Sequence, residues 1–369
     1  MSGIKNNVQR TRKRISDSKK VLMILGLLIN TMTVRANDTI TATENFGTKI
    51  EKKDNVYDIT TNKIQGENAF NSFNRFALTE NNIANLYFGE KNSTGVNNLF
   101  NFVNGKIEVD GIINGIRENK IGGNLYFLSS EGMAVGKNGV INAGSFHSII
   151  PKQDDFKKAL EEAKHGKVFN GIIPVDGKVK IPLNPNGSIT VEGKINAVEG
   201  IGLYAADIRL KDTAILKTGI TDFKNLVNIS DRINSGLTGD LKATKTKSGD
   251  IILSAHIDSP QKAMGKNSTV GKRIEEYVKG NTKANIESDA VLEADGNIKI
   301  SAKATNGRFI KKEGEKETYN TPLSLSDVEA SVRVNKGKVI GKNVDITAEA
   351  KNFYDATLVT KLAKHSFSF

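Results

Sequence analysis

The sequence contains no cysteine and no tryptophan among its 369 residues, and only six prolines. Without cysteine, disulfides, thiolate metal sites and thiol nucleophiles are excluded. Aromatic residues make up only 6% of the chain, which is little for a thick globular core and suits a thin core built from aliphatic layers. The 34 glycines indicate a chain with many tight turns.

The net charge of +12 is concentrated at the N-terminus. Residues 1–36 carry eight basic side chains and one acidic side chain, a net +7 that leaves +5 for the rest of the chain. The remaining basic residues are scattered rather than grouped. A mildly basic solvated surface is therefore favoured over a nucleic-acid groove, and we expect no nucleic-acid partner.

The first residues have the order of an export signal. A basic, polar stretch over residues 1–20 precedes the apolar run of residues 21–29. That run is too short for a membrane-spanning helix, which needs roughly 20 residues, and the order is that of a signal peptide. Val34 and Ala36 fit a cleavage site before Asn37. A retained anchor or a buried helix remains the alternative.

Three segments share one order of residues, namely 249–255, 296–302 and 342–348. Each begins with turn residues, continues with apolar residues at alternating positions, and ends with serine or threonine followed by alanine. Alternation places Ile298 and Ile300 on one strand face. From Ile251 to Ile298 is 47 residues, and from Ile298 to Val344 is 46. The spacing predicts two coils of about 23 residues per repeat in a parallel β-helix, rather than a propeller blade.

One stretch, residues 154–164, differs because it contains helix formers and no glycine. Phe156, Leu160 and Ala163 recur at helical spacing, which predicts a short amphipathic helix. Either of the two aspartates that begin it is a candidate cap. We expect this helical insertion to pack over a coil rather than to bind a partner.

Two stretches resemble the secretion domain of filamentous haemagglutinin-type adhesins. The first is residues 68–88, which reads NAFNSFNRFALTENNIANLYF and follows the family's "N-x-F-x-x-F" and "A-N-L-x-F" order. The second is residues 121–146, which reads IGGNLYFLSSEGMAVGKNGVINAGSF. The text from Asn184 to Asp258 is similar to the fusobacterial leukotoxin-like filamentous adhesins.

This sequence departs from the family at one turn. The family's Asn-Pro-Asn-Gly occurs here as Ser129–Gly132, and only the glycine is kept. An Asn-Pro-Asn-Gly does occur at Asn184–Gly187, but it comes so late in the chain that we expect it to be a different element. The departure bears on the roles of single residues rather than on the overall resemblance.

The resemblance implies an all-β fold, a right-handed single-stranded parallel β-helix with N-terminal capping strands and the helical insertion. It implies a signal peptide over 1–36, a two-partner secretion domain over 37–260 and continuing, truncated β-helix coils over 261–369. The chain would pass the Sec translocon, dock on an outer-membrane transporter with POTRA domains by strand augmentation, and reach the bacterial cell surface. A host cell surface is a further implied partner. The candidate transporter contacts are Asn68, Phe70, Asn71, Phe73, Asn74, Phe76, Asn85, Asn124, Ser129, Ser130, Glu131 and Gly132.

We expect no catalysis, no metal and no cofactor. The four histidines, His147, His165, His256 and His365, lack metal-ligand spacing, and no phosphate-binding loop or nucleophile elbow is present. The acidic pairs at 154–155 and 161–162 are neighbours in the predicted helix and point apart. The alternatives are a β-helix enzyme that degrades polysaccharides, a self-sufficient adhesin that binds a host ligand, and a toxin fragment.

Overall fold

The structure is a computed structural model, and it describes residues 39–44, 46–223, 243–259, 282–306, 308–313, 316–320 and 328–352. The predicted cleavage site between Ala36 and Asn37 lies outside these residues. The described part is mostly β, with one helix, α1 (Gln153–Lys164). Its strands are β1 (Thr39–Ala42), β2 (Thr48–Lys53), β3 (Val56–Thr61), β4 (Ile64–Gln65), β5 (Asn68–Leu78), β6 (Ile83–Tyr87), β7 (Asn98–Val103), β8 (Ile107–Val109), β9 (Ile112–Arg117), β10 (Lys120–Ile121), β11 (Asn124–Leu128), β12 (Met133–Val135), β13 (Val140–Ile149), β14 (Ser188–Val191), β15 (Lys194–Tyr204), β16 (Asp207–Leu210), β17 (Ile215–Lys217), β18 (Asp250–Ser259), β19 (Thr282–Ser288), β20 (Val291–Glu293), β21 (Ile298–Asn306), β22 (Arg308–Glu313), β23 (Lys316–Asn320), β24 (Val328–Val334), β25 (Lys338–Ile340) and β26 (Val344–Asn352).

Most strands pair in parallel and fall into three series. The first series contains the first half of β5, β7, β11, the second halves of β13 and β15, β18, β21 and β26. The second contains the second half of β5, β8, β12, β14, β16, β19 and β24. The third contains β3, β6, β9, the first halves of β13 and β15, β17, β20 and β25. The chain visits the series in this order, and one visit to each is called a row.

The number of residues in a row varies. Hydrogen-bonded equivalents are 26 residues apart at Asn98 and Asn124 but 46 apart at Asn297 and Asn343. Ile251 pairs directly with Ile298, so the repeat seen in the sequence spans one row. The prediction of two coils per repeat is wrong, because long insertions between the first and second series lengthen the later rows.

The strands form where the sequence alternates between apolar and polar residues, and parallel pairing in register then aligns like residues. Ile298 and Ile300 are buried, as predicted, while Lys299 and Ser301, which alternate with them, are partly exposed. One inward column of the first series reads Asn71, Asn101, Phe127, Ser148, Leu203, Leu253, Ile300 and Ile346. Each row thus adds a layer to one continuous apolar core.

Antiparallel strands occupy the first edge of the sheet. Ile40 of β1 is paired with Phe76 of β5, and Ile64 of β4 with Ala69. β2 runs antiparallel to β3, and it carries exposed lysines, including Lys49 and Lys53. Charged side chains on an outer strand oppose further pairing with another chain.

The predicted helix is confirmed as α1, which lies in an insertion between β13 and β14. The insertion closes at its base through a bridge between Pro151 and Leu183. Phe156, Ala159 and Ala163 of α1 are buried, because the helix presents one apolar face to the sheet. The prediction of an aspartate cap is wrong, since Lys152 stands at the N-cap without a side-chain bond.

The described residues belong to one compact unit. Described strands on both sides of the predicted boundary at residue 260 belong to the same sheet, as the pairing of β18 with β21 shows. Within the ranges given above, no helix is long and apolar enough to cross a membrane.

Candidate functional site

The candidate contacts with the transporter fall in the first rows, from β5 to the turn before β12. Their exposure differs greatly. Asn74 and Glu131 are exposed, Asn68 and Asn124 are partly buried, and the remaining members are buried, namely Phe70, Asn71, Phe73, Phe76, Asn85, Ser129, Ser130 and Gly132.

Asn68 and Asn124 lie at the ends of a short amide ladder along the starts of three neighbouring strands. Asn124 Nδ2 donates to Asn98 Oδ1 at 2.9 Å, and Asn98 Nδ2 donates to Asn68 Oδ1 at 2.9 Å. Asn98 was not predicted. In-register parallel pairing brings like residues together, so each amide satisfies its neighbour.

Asn85 belongs to a longer amide ladder on the third series. Asn196 donates to Asn142, Asn142 to Asn114 and Asn114 to Asn85, each through Nδ2 to Oδ1 at 3.0–3.1 Å. Asn85 in turn donates to Asp58 at 3.0 Å. These partners were not predicted, although isoleucine precedes all three of the later asparagines, and this repeated pair of residues signals a common position.

Phe70 begins a stack of rings on the outer side of the first series. Its ring centroid lies 5.6 Å from that of Phe100, which lies 4.6 Å from Tyr126, which lies 4.8 Å from His147. Tyr204 follows at 6.4 Å. Offset stacking of rings on successive strands adds to the stability gained by burying them.

Burial controls the ionisation of this stack. Burial lowers the pKa of His147 to about 4, with a further contribution from the positive charge of Lys247. Burial also raises the pKa of Tyr126 to about 12. His147 is therefore neutral near pH 7, and within the described residues neither its Nδ1 nor the hydroxyl of Tyr204 has a hydrogen-bond partner.

Phe73 and Phe76 lie inside the core. Their ring centroids are 5.2 Å apart in an edge-to-face arrangement, and Phe76 also meets Phe127 edge to face at 5.2 Å. Both side chains are fully buried. In the folded protein they hold the first rows together and are inaccessible to a partner.

The turn at Ser129–Gly132 is tightly bonded. Ser129 Oγ donates to the carbonyl of Gly105 at 2.7 Å and accepts from the Glu131 N–H at 3.0 Å. Gly132 has a φ of +112°, and a Cβ there would lie 2.6 Å from the Ser188 carbonyl oxygen. The kept glycine is therefore required both by its backbone conformation and by the close neighbouring strand.

The Asn-Pro-Asn-Gly turn occupies the same position one row later. Asn184 Nδ2 donates to the Ser130 carbonyl at 2.7 Å, and Met133 after the first turn pairs with Ile189 after the second. It is therefore a different turn, as expected, and it is the equivalent of Ser129–Gly132 in the next row. This second turn comes late in the chain because the insertion that contains α1 precedes it. Gln153 of α1 also contacts the first turn, since it accepts a hydrogen bond from the Ser130 hydroxyl.

The exposed candidates share one corner of the sheet, here called the corner surface and defined as Asn74, Asn104, Gly105 and Glu131. Asn104 Nδ2 donates to Asn74 Oδ1 at 3.3 Å, and Asn74 Nδ2 donates to the carbonyl of Ala42 at 3.2 Å. Glu131 Oε2 lies 4.0 Å from where a Gly105 Cβ would be. Asn74 and Glu131 are the most exposed of the predicted recognition residues, whereas Asn104 and Gly105 were not predicted.

The described histidines have different surroundings. His147 stacks in the ring column, His165 lies 3.6 Å from Glu161 at the end of α1, and His256 lies 3.5 Å from Asp258. His365 lies outside the described residues. Across the described ranges, no group of three or more His, Asp or Glu side chains is arranged to hold a metal ion.

One carboxylate of each acidic pair of α1 lies close to a lysine of the same helix. Asp155 lies 3.3 Å from Lys158, and Glu161 lies 2.8 Å from Lys164. The hydrogen bond from Lys164 lowers the pKa of Glu161. These are solvated ion pairs one helical turn apart.

No family model matches the sequence, and no curated protein matches it.

Proposed function

We propose that this chain is the exported N-terminal region of a large secreted adhesin or leukotoxin-like protein, and that it acts as an address and folding nucleus rather than as an enzyme. After passage through the Sec translocon, an outer-membrane POTRA-barrel transporter recognises it and releases it at the cell surface. The full protein then meets a host cell surface. One observation carries the proposal. The stretch 68–88, on which the resemblance rests, begins with β5, and the antiparallel strands β1 and β4 cover the sheet edge there.

The finer fold is part of this proposal. We infer that the three series wind as a right-handed single-stranded parallel β-helix. Support comes from the order of the chain, which visits the first, second and third series repeatedly and pairs each strand in parallel with its equivalent one row on. Right-handed crossover is the strong preference for parallel strands.

Burial of the motif residues bears on when recognition occurs. Phe70, Phe73 and Asn85 are inaccessible after folding, so the transporter would read residues 68–88 while they are still extended. Strand augmentation provides such reading, since main-chain bonds give affinity and alternate side chains give specificity. Folding then withdraws these side chains into the core and releases the transporter.

Folding outside the membrane supplies the driving force. Each completed row buries apolar side chains at roughly 25 cal/mol per Å², as for Ile189 and Ile201, which are at most 1% exposed. Because rows contact mainly their neighbours, folding propagates from the emerged N-terminus. The stability gained opposes sliding back through the pore.

The proposal is tested by surface display with a co-expressed transporter. A variant with aspartate at Ile189, Val191, Ile201 and Leu203, all buried, should reach the periplasm and fail to appear outside. Its matched control carries aspartate at Thr190 of β14 and at Arg209 of β16, the strand paired with β14, where the side chains are not buried, and it should be displayed normally. Normal display of the core variant would refute the folding role.

Recognition is tested separately with a peptide. A synthetic peptide of residues 68–88 should compete with the exported chain for the isolated POTRA domains, while a scrambled peptide of the same composition should not. Equal competition by both peptides would remove residues 68–88 as the address. A sugar-release assay on the purified chain distinguishes the enzyme alternative, and we expect no release.

A further inference from the structure

The insertion between β13 and β14, residues 150–187, is held against the sheet along most of its length. Six of its apolar side chains are buried and belong to the core cluster of the sheet, namely Phe156, Ala159, Ala163, Ile172, Ile181 and Leu183. These side chains extend from α1 to the end of the insertion. Burial of apolar surface therefore fixes the insertion at several places and not only at its base.

One part of the insertion reaches back to the first edge of the sheet. A Cβ at Gly166, which follows α1, would lie 3.1 Å from Gln65 Cβ on β4, the strand that pairs antiparallel with β5. On the way, Phe156 of α1 meets Phe102 of β7. The insertion leaves the sheet after β13, three strands beyond β5 in the first series. It therefore runs back across rows that precede it in the chain.

Another part of the insertion reaches forward to a strand that follows it in the chain. A Cβ at Gly177 would lie 3.2 Å from Ile252 Cδ1 on β18, and Lys178 lines one groove with Ser254 and His256 of the same strand. β18 is two strands beyond the second half of β13 in the first series. Ile252 comes 75 residues after Gly177 in the chain, so this contact forms only once the row that begins with β18 has been added.

The two contacts are far apart along the sheet. From β4 to β18 there are six strand-to-strand steps, through β5, β7, β11, β13 and β15, which is about 29 Å at the usual spacing of strands. In a stack of rows each row contacts mainly its neighbours, so a local disturbance is passed on only from row to row. A segment that contacts both β4 and β18 bypasses the rows between them.

We propose that the insertion is a clasp, a strap whose contacts with β4 and with β18 form and break together. The clasp closes only when β18 is in place, and it then couples the strand that covers the first edge to a row six strands away. Release of the strap at either contact loosens the other, because coupling between two sites is reciprocal. This clasp goes beyond the proposed secretion role and does not depend on it.

Hydrogen exchange of the full chain tests the coupling. Ile252→Ser removes Cδ1 and Cγ2, two of the atoms nearest to Gly177, and should speed amide exchange both in residues 166–181 and at β4. We expect roughly a 3- to 10-fold change, the factor that corresponds to losing about half of an isoleucine's burial. The matched control is Ile215→Ser, the same change at a partly buried isoleucine of β17 in the third series, which should leave β4 unchanged. Unchanged exchange at β4 in Ile252→Ser, or an equal response of β4 to both variants, would overturn the clasp.

A double-mutant cycle in urea unfolding gives an independent test. Gly166→Ala should loosen the contact with β4, because Gly166 has a φ of +73° and a Cβ there would press on Gln65. Substitutions at sites this far apart normally have additive effects. With the clasp, Gly166→Ala and Ile252→Ser together should shift the unfolding midpoint by less than the sum of their single shifts, because the first substitution has already opened the strap. Gly166→Ala with Ile215→Ser should be additive, and additivity in both pairs would rule out the clasp.

Discussion

The outer side of the first series changes character between the early and the late rows. One column reads Phe70, Phe100, Tyr126, His147, Gly202, Ile252, Lys299 and Asp345 along the sheet. The early members are aromatic rings, and the last two are charged. Since all occupy one position of one strand type, the difference comes from what lies outside the sheet.

The insertion that contains α1 accounts for the change. Phe156 of α1 meets Phe102 with ring centroids 6.0 Å apart, and a Cβ at Gly177 would lie 3.2 Å from Ile252 Cδ1. The insertion therefore reaches as far as Ile252. Beyond it, Lys299 is partly exposed and Asp345 is exposed, and the sheet returns to alternation between apolar and polar residues.

The largest effect should come from one inward column that crosses both regions. Phe127→Ala should lower the free energy of unfolding by about 3–5 kcal/mol and Ile300→Ala by about 2–5 kcal/mol, because each removes fully buried atoms and leaves a cavity. Ile346→Ala should cost far less, since Ile346 is half exposed. Urea unfolding of the three variants measures the difference.

Phe127→Leu is the matched control for the early rows, because it keeps most of the buried volume and should recover much of the stability. If Phe127→Ala and Ile346→Ala destabilised the protein equally, the early and late ends of the column would not differ in burial. The comparison of the two regions would then fail.

The next effect concerns the amide ladder of the early rows. Asn142→Ala removes the donor to Asn114 and the acceptor for Asn196, and it leaves buried amide groups unpaired at a cost of about 1–3 kcal/mol. Asn74→Ala, at an exposed amide, should change stability by less than about 0.5 kcal/mol. Equal effects in thermal or urea unfolding would show that the ladder does not stabilise the sheet.

The sequence predicted the strands and the helix because their signals are local. Alternation at Ile298 and Ile300 and helical spacing at Phe156 and Ala163 each depend on a few neighbouring residues. The number of residues per row was not predictable in this way. A repeat of 46–47 residues is compatible with one long row or two short ones, and only the direct pairing of Ile251 with Ile298 decides.

The sequence did not indicate which of the candidate site residues would be accessible. The motif lies in the first rows, and most of its members, such as Phe73 and Asn85, are buried. In the sequence alone, a polar residue such as Asn85 suggests an exposed position. Its burial could not be predicted, because the amide that bonds to it comes from a strand one row away. The equivalence of Asn184–Gly187 and Ser129–Gly132 was hidden for a similar reason, the intervening insertion.

The third effect depends on pH and belongs to the ring stack. The folded pKa of His147, about 4, lies below its ordinary value of 6.5, so the unfolded chain binds the proton first as pH falls. Protonation of His147 should therefore leave the free energy of unfolding unchanged above pH 6.5 and lower it toward pH 4, by at most about 1.4 kcal/mol per pH unit. His147→Phe should remove this loss while keeping the stack on Tyr126.

The measurement is the difference in unfolding free energy between the two proteins from pH 7 to pH 4.5, because titration of the shared carboxylates cancels in that difference. The gap should grow in favour of His147→Phe as pH falls. A constant gap would mean that His147 can be protonated in the folded state without cost, and that the early rows admit solvent as the late rows do.

The smallest effect lies where the amide column continues into the late rows. There Asn196 is followed by Lys217 and Glu293, whose charged atoms are 2.9 Å apart, and the hydrogen bond from Lys217 lowers the pKa of Glu293. Both side chains are substantially exposed, so Glu293→Gln should cost well under about 1 kcal/mol, and salt should screen most of it. Asn142→Ala, at a buried and uncharged position, should keep its cost in high salt. Unfolding experiments at low and high salt measure this contrast. If the cost of Asn142→Ala fell with salt and the cost of Glu293→Gln did not, the late rows would not be the solvated part of the column.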